Sequence, residues 1–138
     1  MESRKGFTLI ELMVVILIVS ILAAVSVSIM RGRIDSAKWS EANRTAGTIK
    51  RVVRALIAEY GDHYNYKKLK GKLSKPSLYM QLGFSSSDLS GSYFYQGDYK
   101  LKDVTANPMS YVVEIESSHP EGPPGKGTLD ADGNWLVN

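Results

Sequence analysis

Apolar residues run almost unbroken from Phe7 to Met30, a stretch of 24 residues in which Glu11 is the one charged side chain. About 20 apolar residues in a helix cross the hydrocarbon core of a bilayer. A secretory signal core is shorter, roughly 7–15 residues, and carries no acid. After Met30 the pattern turns amphipathic. Ile34, Ala37, Ala42, Ala46, Ile49, Val53, Leu56, Ile57 and Tyr60 recur at spacings near three and four, the signature of one helix face. Arg33, Lys38, Glu41, Arg44, Lys50, Arg51 and Arg54 fall mostly elsewhere. No proline occurs before Pro76, and Gly61-Asp62 supplies a stop. The pattern predicts one helix from Phe7 to Tyr60, about 80 Å long at 1.5 Å per residue. Its first half is apolar all round and its second half striped; Gly32 and Gly47 weaken it only modestly.

The remaining pattern is shorter in period. Asp62 to Gly91 reads as a connecting region in which Lys67, Lys68, Lys70, Lys72 and Lys75 crowd beside Tyr64 and Tyr66. A short helix over Ser77–Leu82 is expected, opened by Pro76 and closed by Gly83. Ser92–Gln96 and Tyr99–Asp103 flank Gly97-Asp98, a hairpin pattern. Ser110–Ser117 is the clearest strand, with Val112, Val113 and Ile115. His119 to Gly127, with Pro120, Pro123 and Pro124, is a loop. Gly127–Asp130 and Asn134–Val137 pair across Ala131-Asp132-Gly133. A long helix followed by antiparallel strands gives an α+β fold, with the striped half of the helix packed on a small sheet.

Composition narrows the function. The 138 residues contain no cysteine, so no disulfide can staple a head of roughly a hundred residues. The net charge is +3, of which Glu2, Arg4 and Lys5 contribute +1, too little to argue for nucleic acid. The lysine cluster reads as a solvated, charged loop, and no nucleic-acid partner is expected. His63 and His119 stand far apart and have no ligand spacing. No nucleophile–base–acid arrangement and no phosphate loop is present, so no enzyme is expected. Asp130-Ala131-Asp132-Gly133-Asn134 has the start of a calcium loop but lacks the late bidentate glutamate, and reads as a turn.

Glu11 is the anomaly, because an ionised carboxylate at membrane depth is costly and usually has a partner and a function. Arg4, Lys5 and Gly6 form a short basic leader before it. A cut after Gly6 would give Phe7 a cationic amine four residues before Glu11. The run Lys5-Gly6-Phe7-Thr8-Leu9-Ile10-Glu11-Leu12-Met13-Val14-Val15 closely resembles the processing motif of type IV pilins and type II secretion pseudopilins. The resemblance implies a leader over residues 1–6, a transmembrane and filament-core helix over 7–30, and a head over 31–138. It implies cleavage by prepilin peptidase between Gly6 and Phe7, N-methylation of Phe7, and Glu11 neutralising the N-terminus of a neighbouring subunit. The partners implied are other copies in a helical homopolymer, minor pilins or pseudopilins, a platform protein and a motor ATPase.

The resemblance places the leader in the cytoplasm, the span in the inner membrane, and the head in the periplasm or in an extracellular filament. Positive charge alone argues the other way, since Arg31, Arg33, Lys38 and Arg44 follow the span. Ser28 stands where many relatives carry a proline, so a break there is not expected. Major pseudopilins bind calcium in the head, yet the loop Ser118–Gly127 offers only Glu121 as an acid. Pilus and secretion pseudopilus both fit; the short head and absent cysteines lean towards the pseudopilin. A membrane-anchored binding module that never polymerises is the rival reading, and it has no need of Glu11 or of leader removal.

Overall fold

The computed structural model describes residues 6–138. The expected leader lies outside the described residues except for Gly6. One helix, α1 (Leu9–Tyr60), runs for 52 residues without interruption, and no break occurs at Ser28. The chain divides into a unit that ends at Ile34 and a second unit, Asp35–Asn138.

In the first unit every residue from Gly6 to Ile34 is exposed. The helix here is long and apolar enough to cross a membrane. Two of its hydroxyls are satisfied within the helix: Ser20 donates to the Ile16 carbonyl at 2.7 Å and Ser26 to Leu22 at 2.8 Å. That back-bonding lets serine sit in an apolar helix without an orphaned donor.

In the second unit, α1 buries Trp39, Ala42, Ala46, Ile49, Val53 and Ile57, at spacings of three and four. Ile34, Ala37 and Tyr60, expected on this stripe, are exposed instead. Trp39 supplies the bulk at the stripe's start, stacking against Phe94 with ring centres 5.4 Å apart. The stripe covers a five-stranded sheet in the order β1-β2-β3-β4-β5, antiparallel throughout. The strands are β1 (Gly71–Lys72), β2 (Tyr99–Ala106), β3 (Met109–Ile115), β4 (Gly127–Asp130) and β5 (Trp135–Val137). The architecture is α+β. Tyr99, Leu101, Val104, Tyr111, Val113, Ile115 and Leu129 face the helix, and the alternate residues face solvent, as expected of a half-buried antiparallel sheet. Between Lys102 and Thr105 the β2–β3 register slips. Asp103 there adopts φ +52°, which an aspartate tolerates at a bulge.

Several expectations shift. Ser92–Gln96 is not a strand. Its backbone donors go to side chains: Tyr93 N–H to Glu41 at 3.0 Å, Tyr95 N–H to Asp98 at 2.8 Å and Gln96 N–H to the Ser90 hydroxyl at 3.1 Å. Gln96–Asp98 is a 3-10 turn leading into β2. The true hairpin joins β2 and β3 through the cis Asn107–Pro108 bond. The short helix α2 covers only Pro76–Tyr79, and the chain turns at Gly83 with φ +76°. β1, inside the lysine-rich connection, was not anticipated. The β4–β5 pairing across the Asp130–Asn134 turn follows the sequence pattern.

A head without cysteines is closed by hydrogen bonds. The Gln96 side chain, nearly fully buried, accepts from Leu89 N–H at 3.2 Å and donates to the Leu73 and Ser85 carbonyls at 3.1 and 2.9 Å. It pins three segments of the connection to the start of β2. Lys126 and Asn138 exchange two backbone bonds of 2.9 Å, fixing the end of the chain to the start of β4.

Candidate assembly site

The start of α1 is built by Thr8 and Glu11. Thr8 donates to Glu11 Oε2 twice, from its N–H at 2.9 Å and from its hydroxyl at 2.8 Å. Glu11 N–H points back at the Thr8 hydroxyl at 3.4 Å, and Leu12 N–H reaches the Thr8 carbonyl at 3.3 Å. This is a capping box: the orphan donors of the first turn are satisfied by side chains. A carboxylate in a first turn also complements the positive end of the helix dipole. Glu11 is thereby held at the very head of the apolar helix. Among the described residues its Oε1 receives no hydrogen bond.

Gly6 and Phe7 precede the helix in non-helical chain, and Phe7 is 82% exposed. A side chain at Gly6 would meet nothing within 4 Å. The Gly6–Phe7 bond thus lies in non-helical backbone ahead of α1. From Leu9 onward the helix presents an apolar surface interrupted by the charge of Glu11 alone, including Leu9, Ile10, Met13, Leu17 and Leu22, all more than half exposed. Such a surface needs lipid or protein around it.

Sequence reasoning singled out Gly6, Phe7 and Glu11, and the structure brings them together within the first helical turn and its approach. It missed Thr8. Thr8-Leu9-Ile10-Glu11 is a threonine three residues ahead of a glutamate at the start of an apolar run, the capping-box pattern, so the signal was present.

The other candidates are placed apart. His119 packs on Tyr95 with ring centres 5.1 Å apart and accepts Glu121 N–H at 3.1 Å. His63 is exposed in a 3-10 turn after α1. Asp130 accepts Gly133 N–H at 2.9 Å and both Asn134 N–H and Asn134 Nδ2 at 2.8 Å. The Asn134 bonds first, then Gly133, hold its carboxyl below the ordinary range. Those bonds close a turn, as the Asp-Gly pattern suggested. Among the described residues no group of three or more histidines, aspartates or glutamates is gathered as a metal site.

A single apolar helix headed by a capped acid, together with a small α+β head, is the architecture of the prepilin class. Residues 1–27 match the prokaryotic N-terminal methylation motif. The chain is similar to the type II secretion system core protein G of Klebsiella michiganensis, 30% identical over 99% of this chain and 96% of that protein. It is similar to the type IV major pilin protein PilE1 of Neisseria gonorrhoeae, 35% identical over 82% of this chain and 62% of the pilin. It also resembles the fimbrial protein EcpB of Eikenella corrodens, 38% identical over 44% of this chain and 38% of that protein. No solved structure matches it. The chain belongs to the type IV pilin and type II secretion pseudopilin family. It is a membrane-anchored, pilin-like filament subunit and not an enzyme.

Proposed function

We propose that this protein is a subunit of a type II secretion pseudopilus. Prepilin peptidase cuts between Gly6 and Phe7, the new Phe7 amine is methylated, and Glu11 of one subunit pairs with that amine on the next. In this reading residues 1–6 are the leader, 7–30 the span and later the filament core, and 31–138 the head. The span sits in the inner membrane with the head outside the cytoplasm, and the head ends in a periplasmic filament. The platform protein, motor ATPase and minor pseudopilins are the partners of that process. The near end-to-end similarity to a core protein G supports the secretion reading over the pilus. A pilin similarity that reaches only 62% of its relative's length supports the pilus less.

One observation carries the assembly mechanism. Glu11 is the sole charge in the 24 residues Phe7–Met30, and among the described residues its Oε1 receives no hydrogen bond. Lipid and neighbouring helices are comparably apolar, so leaving the bilayer gains little from the hydrophobic effect; packing and polar pairing must drive it. A carboxylate at the head of each helix, four residues from a cationic amine, gives every subunit one acceptor and one donor for a neighbour. A non-polymerising binding module leaves this arrangement without use.

Intact-mass analysis of the membrane-extracted protein tests the reading. The mass should lack Met1–Gly6 and carry one added methyl group, and Gly6→Leu should leave the full-length precursor. A mature N-terminus near Ala24 would mean an ordinary signal peptide and overturn the proposal.

A further inference from the structure

The pseudopilin resemblance places calcium in the head, at the loop that leads into β4. Calcium takes about 6–8 oxygen ligands, carboxylates foremost. The loop Ser118–Gly127 carries one acid, Glu121, and that residue is exposed. The carbonyls around the loop are already engaged. That of His119 accepts Gly122 N–H at 2.9 Å, that of Tyr93 accepts the Ser117 hydroxyl at 2.8 Å, and that of Glu121 accepts the Lys38 ammonium at 2.6 Å. His119 Nδ1 is taken by Glu121 N–H. The acids beside the loop are committed as well. Asp98 accepts Tyr95 N–H at 2.8 Å and the Ser118 hydroxyl at 2.5 Å. Glu116 pairs with Lys126 at 3.0 Å, and Asp130 closes its own turn. This donor set does not fit calcium.

Lys38 fastens the loop instead. It stands on α1, 83 residues from Glu121 in sequence, and its Nζ also lies 5.1 Å from the centre of the Tyr93 ring, within cation–π range. Glu41, three residues on and so on the same helix face, accepts Tyr93 N–H at 3.0 Å. Tyr93 is thereby tied at its ring, its N–H and its carbonyl, and through Ser117 to the loop. The loop is closed tightly: a Cβ on Gly122 would fall 1.9 Å from Ser117 Oγ. We propose that this head takes no structural calcium, and that the Lys38 ammonium is the built-in cation that holds residues 117–122 against α1. A charged donor on a carbonyl makes a stronger hydrogen bond than a neutral one. It also repels a second cation from the same oxygen. The inference deepens the pseudopilin reading, because it is that family which calls for calcium here.

Thermal unfolding of the full chain in non-ionic detergent micelles, followed by tryptophan fluorescence, is measured with millimolar calcium and with excess EDTA. The wild-type melting temperature should be the same in both, and calorimetric titration with calcium chloride should show no saturable binding. Lys38→Met keeps the stem and removes the charge; it should melt about 4–8 °C lower in both buffers. Its amide hydrogen exchange should quicken at residues 117–122, while Lys67→Met, at an exposed lysine away from the loop, should match wild type. Saturable calcium binding by the wild type, or a melting temperature that calcium raises and EDTA lowers, overturns the proposal. So does unchanged exchange at 117–122 in Lys38→Met. Either result leaves the pseudopilin reading standing, since the Gly6–Phe7 cut decides that. A mature N-terminus near Ala24 would overturn that reading and leave the Lys38 tie in place.

Discussion

Gln96 carries the closure that a disulfide supplies in other small heads, and its removal is the sharpest test of the fold. Gln96→Ala leaves Leu89 N–H and the Leu73 and Ser85 carbonyls without their partner. A buried polar group left unpaired costs about 1–3 kcal/mol. The Ser85 bond is only part-buried and counts at the low end. The sum is about 3–7 kcal/mol, a large fraction of the ~5–15 kcal/mol that holds a domain together. Gln96→Glu keeps the shape and still accepts from Leu89, but turns an oxygen on two carbonyl oxygens at the distances of 3.1 and 2.9 Å where the amide donated. Its loss should be at least as large. The assay is urea unfolding of the full chain in detergent, followed by tryptophan fluorescence. Trp39 and Trp135 are the only tryptophans, and their rings meet at 6.1 Å inside the head, so the signal reports the head alone. A loss below about 1 kcal/mol for Gln96→Ala would refute the reasoning, because at least two fully buried partners would then have found other bonds.

Two further predictions concern the core. Val53 is fully buried under the sheet, so Val53→Asp should cost about 3–5 kcal/mol as an unpaired buried charge, whereas exposed Arg51→Ala should stay within ~0.5 kcal/mol; equal urea midpoints would show the helix face misassigned. The Tyr99 hydroxyl is buried with no hydrogen-bond partner among the described residues, although Thr45 lies beside it. Burial pushes its pKa up to about 12 from an ordinary 10. The folded state thus prefers the protonated phenol, and this contribution is intact below pH 10 and lost as pH rises towards 12. Tyr99→Phe should therefore gain up to about 1 kcal/mol at neutral pH and flatten the alkaline loss of stability; a destabilised variant with an unchanged alkaline limb would contradict this.

Much of this was legible in the sequence where periodicity is long. The helix over Leu9–Tyr60 and the stripe from Ala42 to Ile57 follow from spacings of three and four, which local chemistry alone fixes. The start of the stripe was not legible. Trp39 replaces Ala37 because the sheet, not the helix, decides where the covered face begins. Strands were legible where turn residues bracket them, as at Gly127–Asp130 and Trp135–Val137. Ser92–Gln96 misled because Tyr93, Phe94 and Tyr95 look like strand residues, while the backbone donors of Tyr93, Tyr95 and Gln96 are claimed by Glu41, Asp98 and Ser90, the first of them far away in sequence. β1 is two residues long and has no pattern of its own; only its pairing with Leu101 and Lys100 makes it a strand. At the site, Glu11 stood out because an acid in an apolar run is conspicuous, and Gly6 and Phe7 through the motif-like run Lys5–Val15. Thr8 was not singled out, since a threonine there breaks no hydrophobic pattern.

The measurement closest to the central claim is filament yield in sheared fractions, normalised to processed monomer, for wild type, Glu11→Val and Glu11→Gln. Valine removes both the charge and the capping bond. Glutamine retains the capping box, which accepts glutamate or glutamine at this position, and removes only the charge. Both variants should insert and be processed normally, because the junction lies at Gly6–Phe7 and the span becomes no less apolar. Both should fail to polymerise, since each subunit would bury a cationic terminus with no counter-charge, a penalty of about 3–5 kcal/mol. Glu11→Asp keeps the charge at shorter reach and should recover part of the yield. Wild-type filaments from Glu11→Gln would contradict the account, and would leave Glu11 as the cap of a membrane helix and nothing more.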